Sequence, residues 1–227
     1  SYMPNVAIVG GAVRPIALKR ENGFKLTAED VERAATEKSK IIIMPYPNNP
    51  TGAALEKQEL EKICAVIKRK NLFVIADEIY AELTYGRRHI AVASIDGMKE
   101  RTVTLNGFSK AFAMTGWRIG YTASNAAVAK AMGSIQSHVT SNPNSIAQYA
   151  AAEAYRHNEG ERFLSRMRVT FDNRRKIMID GIAKIPQLKF IYPQGAFYVM
   201  IDIAGILGKT SPSGKRLDSA FTVANEL

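Results

Sequence analysis

The sequence has one cysteine, Cys64, so it forms no internal disulfide, and a disulfide-stapled secreted fold is excluded. No signal-peptide pattern is visible and no apolar run is long enough to cross a bilayer. Its three histidines, His89, His138 and His157, lie far apart without ligand spacing, so no metal site is expected. No Gly-x-Gly-x-x-Gly opens a helix after a strand, which removes the dinucleotide-binding signature. Internal repeats and low-complexity segments are missing too. These absences leave a reducing, cytoplasmic setting as the expectation, with Cys64 read as a helix core residue.

Acidic residues are also scarce: 31 Lys and Arg face 21 Asp and Glu, a net charge of +10. A basic chain can bind nucleic acid. Here the charges are scattered in short groups such as Lys68-Arg69-Lys70, Arg87-Arg88 and Arg174-Arg175-Lys176. With no aromatic RNA-binding signature beside them, they read as solvated helix faces and ends. Neither a nucleic-acid nor a membrane partner is expected.

Apolar residues make up 46% of the 227, enough for a sizeable core. Short apolar runs at Ile41 to Met44, Leu72 to Ala76, Thr102 to Leu105 and Trp117 to Tyr121 predict strands. Leu60, Ile63, Cys64 and Ile67 recur at three- and four-residue steps, predicting an amphipathic helix from Leu55 to Lys70. This alternation argues for a mainly parallel α/β sheet covered on both faces. From about Asn125 the pattern turns helical, with a long charged helix from Glu161 to Ile185, stopped by Pro186. Strands are expected again at Phe190 to Tyr192 and Phe197 to Ile203, and a helix from Asp218 onward. The Gly208 to Gly214 stretch reads as a flexible loop. The expected division is a large domain over residues 1–165 and an interdomain helix with the start of a smaller α+β domain over 166–227. A chain starting at Ser1 and stopping inside a predicted helix reads as a fragment of a longer protein.

Ligands of open α/β sheets sit beyond the carboxyl ends of the strands. Three segments put polar groups there. Pro47-Asn48-Asn49-Pro50-Thr51-Gly52 reads as a rigid turn from which Asn49 can donate a hydrogen bond; an ordinary turn before a helix is the alternative. Asp77-Glu78-Ile79-Tyr80 follows an apolar strand. Asp77 could pair with a protonated pyridine nitrogen and keep that ring electron-accepting. Tyr80, one helical turn on, could bond a phenolic ring oxygen. A helix-capping Asp and a packed Tyr are the alternative. Finally, Asn106 to Tyr121 sets Lys110 in a small-residue turn after a strand, with Ser109 beside it and Arg118 eight positions on. A desolvated lysine attacks a carbonyl as a neutral amine, and an arginine holds an anion. That pairing suits an aldehyde cofactor carrying a phosphate, pyridoxal 5'-phosphate. Gly195-Ala196-Phe197-Tyr198 reads as packing in the smaller domain, with substrate contact as the lesser alternative.

With these residues in view, the chain resembles a class I pyridoxal-phosphate aminotransferase of the aspartate aminotransferase superfamily, fold type I. Asn48-Asn49-Pro50-Thr51-Gly52, Asp77-Glu78-Ile79-Tyr80, Ser109-Lys110 and Gly116-Trp117-Arg118-Ile119-Gly120-Tyr121 occur in the family's order, and the resemblance covers nearly the whole chain. The resemblance implies a three-layer α/β/α large domain. It makes Lys110 the Schiff-base lysine and general base, Asp77 the partner of the ring nitrogen, Tyr80 and Asn49 the ligands of the ring oxygen, and Arg118 the phosphate clamp with help from Ser109. Gly107 stands where the family often has a hydroxyl. The family's amino-terminal phosphate loop and ring-stacking aromatic, and its arginine for the substrate α-carboxylate, fall outside this stretch.

Ala113 to Arg118 and Ile135 to Pro143 look most like bacterial aspartate aminotransferases. The implied reaction passes an amino group from an amino acid, aspartate first, to a 2-oxo acid such as 2-oxoglutarate, in a homodimer when full length. Two alternatives remain open at this point. A β-eliminating carbon-sulfur lyase would release pyruvate and ammonia. A DNA-binding regulator would carry a helix-turn-helix upstream of an aminotransferase-like domain.

Overall fold

The fold is taken from a computed structural model that describes residues 2–226. Ser1 and Leu227, the outermost positions of the two predicted domains, lie outside that range. The helices are α1 (Tyr2–Ile8), α2 (Ala28–Ala34), α3 (Lys57–Arg69), α4 (Phe108–Ala111), α5 (Ala126–Thr140), α6 (Ser145–Arg156), α7 (Asn158–Ala183) and α8 (Ala220–Asn225). The strands are β1 (Ile41–Pro45), β2 (Phe73–Asp77), β3 (Thr102–Gly107), β4 (Gly120–Ala123), β5 (Lys189–Phe190) and β6 (Ile201–Asp202).

Strands β1 to β4 form one sheet in chain order, and β5 pairs with β6 in a second. The β1–β2 and β2–β3 pairs are parallel, with Pro45 opposite Asp77 and Asp77 opposite Leu105. The fold is therefore α/β with a mainly parallel sheet. The fourth predicted strand is displaced. Thr115–Trp117 forms a 3-10 turn and the strand begins at Gly120, running antiparallel to β3. Arg118 separates the two with a left-handed backbone, φ 52°, which breaks the extended run.

The helix between β1 and β2 follows its sequence pattern. In α3, Leu60, Ile63, Cys64 and Ile67 are all buried on one stripe, and they share a cluster with Met44, Val74, Ala76 and Met98. The β2–β3 crossover has no α-helix. Two 3-10 turns, Val92–Ser94 and Lys99–Arg101, replace it, and Val92, Ile95 and Met98 fill the same cluster at three-residue steps. Ahead of β1, Thr27 and Asp30 close a reciprocal capping box on α2.

The late strands are shorter than the sequence pattern predicts. Phe197 to Tyr198 is not strand; its backbone turns instead, with Ala196 at φ 56°. This segment is pinned to the sheet end. Ala196 N donates to Leu83 O at 2.8 Å, and Gln194 N and Gly195 N donate to Gly52 O at 2.7 and 2.9 Å. Two glycines permit the contact. A Cβ on Gly52 would meet Pro193 at 2.4 Å, and one on Gly195 would meet Pro47 at 2.7 Å. From α7, Arg175 inserts its guanidinium between the rings of Tyr85 and Tyr192, 4.4 and 4.7 Å from their centroids, and donates to Pro193 O at 2.7 Å.

Candidate active site

The carboxyl ends of β1, β2 and β3 lie side by side, and the loops after them carry the polar residues. Beyond β1, Asn48 is buried and spends its side chain on the turn itself. Its amide donates to Pro45 O at 3.2 Å and its Oδ1 accepts from Thr51 Oγ1 at 2.8 Å. That frees the neighbouring Asn49, which is exposed and donates through Nδ2 to the hydroxyl of Tyr198 at 3.3 Å.

Beyond β2, successive side chains point to opposite faces. Val74 and Ala76 enter the α3 core, so Asp77 points the other way. Its Oδ1 accepts from Ile79 N at 3.2 Å, which turns the chain at once. Its Oδ2 accepts from the hydroxyl of Tyr2 at 2.6 Å. Burial and this carboxylate together push the Tyr2 phenol above its ordinary pKa. Glu78, by contrast, is buried as an anchor. Its Oε1 accepts from Val92 N at 2.9 Å, and its Oε2 lies 3.1 Å from His89 Nε2, a contact too poorly aligned to be a hydrogen bond.

Tyr80 follows in a turn and not in the helical turn that the sequence suggests. Its hydroxyl lies 2.8 Å from that of Tyr198, and its ring meets Phe197 and Tyr198 edge-on. Burial first, then the Tyr198 hydroxyl, raise the Tyr80 pKa. Beyond β3, the four-residue helix α4 buries Phe108 and Ala111, which leaves Lys110 half-buried between them on the open side. Its Nζ stands 5.9 Å from the Tyr80 ring centroid and 5.7 Å from that of Phe197.

Known proteins carry this sequence pattern. That of the family described as Aminotransferase class I and II matches residues 1–220. The chain belongs to the class I and II aminotransferases. Aspartate aminotransferase of Bacillus sp. (strain YM-2) is 40% identical over 212 residues, covering 92% of this chain and 54% of that protein. The aspartate/prephenate aminotransferase of Cereibacter sphaeroides is 42% identical over 229 residues, covering 99% of this chain and 57% of the relative. The crystal structure of the aspartate aminotransferase from Rhizobium meliloti superposes with a TM-score of 0.92 at 37% identity, covering 99% of this chain and 56% of that one. The chain thus spans about half the length of the relatives it matches, and its fold is that of fold type I.

Within this aminotransferase fold, the sequence-predicted residues fall into two groups. Asn49 and Tyr80 are joined through Tyr198, and Lys110 stands over Tyr80. Asp77 lies at the end of the neighbouring strand, bonded to Tyr2. Arg118 is exposed and donates to Thr115 O at 2.9 Å, and Ser109 makes no side-chain hydrogen bond among the described residues. Of two further contributors, Tyr2 is not singled out by sequence reasoning, and Tyr198 enters it only within Gly195 to Tyr198, read as packing with substrate contact as the lesser alternative. The paired aromatics after the Pro193-Gln194-Gly195 turn hint at Tyr198; no local pattern marks Tyr2.

Proposed function

We propose that the intact protein is a pyridoxal 5'-phosphate-dependent aminotransferase that takes an amino group from aspartate and delivers it to a 2-oxo acid such as 2-oxoglutarate. One observation carries this reading: the Lys110 amine stands over the Tyr80 ring at the strand end beside Asp77, in a chain whose family match runs over residues 1–220.

The donor set fits the cofactor group by group. Lys110 offers an amine to an aldehyde, and Asp77 a carboxylate to a protonated ring nitrogen. Tyr80 and Asn49 offer hydrogen bonds to a phenolic oxygen, and Ser109 and Arg118 suit a phosphate. When bound, pyridoxal phosphate supplies the carbonyl and the electron-accepting ring. Lys110 would hold the cofactor through its amine and would move the proton at the substrate Cα. Asp77 would hold a proton on the ring nitrogen, with Tyr2 keeping that carboxylate aimed. Phe197 stands beside the amine, its ring centroid 5.7 Å from Nζ.

The names of the relatives support aspartate as the donor, and one of them adds prephenate as an acceptor to assay. We further propose that residues 1–165 form the cofactor domain, that 166–227 begin the small domain, and that the intact protein works in the cytoplasm as a homodimer. The test is direct. Mixed with cofactor, the protein should gain an absorbance band that borohydride abolishes, leaving the cofactor fixed on Lys110. An unchanged band in Lys110→Ala would refute the assignment. Oxaloacetate formed from aspartate only when 2-oxoglutarate is present separates transfer from the β-elimination that would release pyruvate and ammonia.

A further inference from the structure

We propose that Arg175 is a positioning residue for this site: clamped between two tyrosine rings, its guanidinium fixes the turn before Ala196 and thereby sets Phe197 and Tyr198 against the Lys110 amine. The effect on the loaded site rests on the cofactor reading above, and the clamp itself does not.

Each hydrogen bond of Arg175 has a fixed sense, because a guanidinium only donates. Nη1 donates to Pro193 O at 2.7 Å, and Nε donates to Asp172 Oδ1 at 3.0 Å, with Nη2 on the same oxygen. Asp172 lies one turn earlier in α7, so it holds the guanidinium in place from its own helix. Tyr85 and Tyr192 stand 4.4 and 4.7 Å from it on the other elements. The side chain is 12% exposed, so these ring contacts are largely dry, where a cation over a ring contributes most.

Tyr85 carries the clamp to Ala196. Its N–H donates to Gln194 O at 3.1 Å, and its hydroxyl donates to Ala196 O. Burial pushes the Tyr85 phenol up to about 12, so the hydroxyl keeps the proton it donates. Ala196 N donates to Leu83 O at 2.8 Å, so the peptide units on both sides of Ala196 are tied. Ala196 needs these ties. It is fully buried at φ 56°, a left-handed backbone that a residue with a Cβ rarely enters. Released, it would return to the extended or right-handed region, and the chain would leave the path that brings its next two side chains to the cleft. On that path the Phe197 ring centroid lies 5.7 Å from Lys110 Nζ, and the Tyr198 hydroxyl lies 2.8 Å from that of Tyr80.

Two measurements on the intact protein test this. Without cofactor, amide hydrogen exchange reads the clamp. Arg175→Met fills the slot without charge or donors, and should speed exchange of the Ala196 amide about 2- to 30-fold, the span that such a cation–ring contact contributes. The β2 amides should not change. Tyr85→Phe keeps the ring and loses the hydroxyl, and should act in the same direction. With cofactor, the reading is the absorbance midpoint, the pH at which the band changes over as the nitrogen joining Lys110 to the cofactor loses its proton. Loosened rings admit water, which favours the charged form, so both variants should raise the midpoint.

An unchanged Ala196 amide in Arg175→Met would overturn the clamp. Equal acceleration of the β2 amides would make Arg175 a general stabiliser, and faster Ala196 exchange with an unmoved or lowered midpoint would make it a local one; either result sinks the positioning role. Should Arg175→Met fail to fold, Tyr85→Phe decides by the same two readings. If the unsubstituted protein develops no band, the cofactor reading falls and the role at the amine falls with it, while Ala196 exchange still reads the clamp.

Discussion

Two regions that share strand β2 are built by opposite rules. Around α3, Ile63, Cys64 and Ile67 are fully buried and share one apolar cluster with Val74, Ala76 and Met98. Across the sheet end, Tyr80 is buried on its own smaller cluster with Leu83 and Ala196, but beside it Phe197 is exposed and Tyr198 half-buried, with the Lys110 amine among the rings. The first region gains its stability from apolar area removed from water. The second holds polar groups whose partners come from three separate loops. Consecutive residues fall on the two sides: Ala76 belongs to the core and Asp77 to the cleft. The lesson is that one strand can be rigid on one face because of what it buries and reactive at its tip because of what it leaves unburied.

The strongest way to break the comparison is at Lys110. Lys110→Arg keeps the charge but removes the proposed nucleophile and base. Transfer activity should fall by at least about 10²–10⁴-fold, while the unfolding midpoint in urea stays where it was. A stability loss as large as that of a core deletion would mean that Lys110 belongs to the packed side after all. The converse substitution, Ile63→Ala, should cost about 2–5 kcal/mol in urea unfolding, and the folded fraction should keep its absorbance midpoint. A displaced midpoint would show the two regions to be mechanically joined.

A smaller effect is expected at the α2 cap. Burial pushes the Asp30 carboxyl up, but hydrogen bonds from Thr27 and Arg33 outweigh it and hold the group below its usual value of 3.8. The folded pKa is thus the lower one, so the stabilisation is present at neutral pH and is lost as pH falls through the folded value. Asp30→Ala should cost about 1 kcal/mol at pH 7, and the penalty should shrink as the pH is taken below 3.8. A penalty independent of pH would point to lost packing instead. The smallest effect is on Cys64. Burial pushes its thiol to about 11, so a thiol-alkylating reagent at pH 8 should label it only after unfolding. Labelling of the folded protein would show the α3 side to be less closed than the cleft.

These differences also decide what can be read from the chain alone. Helix α3 and strands β1 to β3 are legible because apolar residues spaced three, four or two apart report burial within a dozen positions. The β2–β3 crossover escapes that reading because Val92, Ile95 and Met98 repeat at the 3-10 period between loop residues. Strand β4 starts late because the left-handed Arg118 interrupts an otherwise apolar run. In the site, Asn49, Asp77, Tyr80 and Lys110 stand out since each follows or lies near a strand end. Tyr198 and Tyr2 do not, because their roles come from contacts 118 and 75 residues away in sequence. No local pattern encodes a hydroxyl that arrives from so far along the chain.

That distance has an effect on how the protein matures. A chain with β1 to β3 in place but residues 189–202 still loose would present an amine and a carboxylate without the far hydroxyl. Only the finished molecule completes the set. A small molecule that bonds to the whole set would therefore favour finished over half-finished copies, in proportion to its tighter binding to the former.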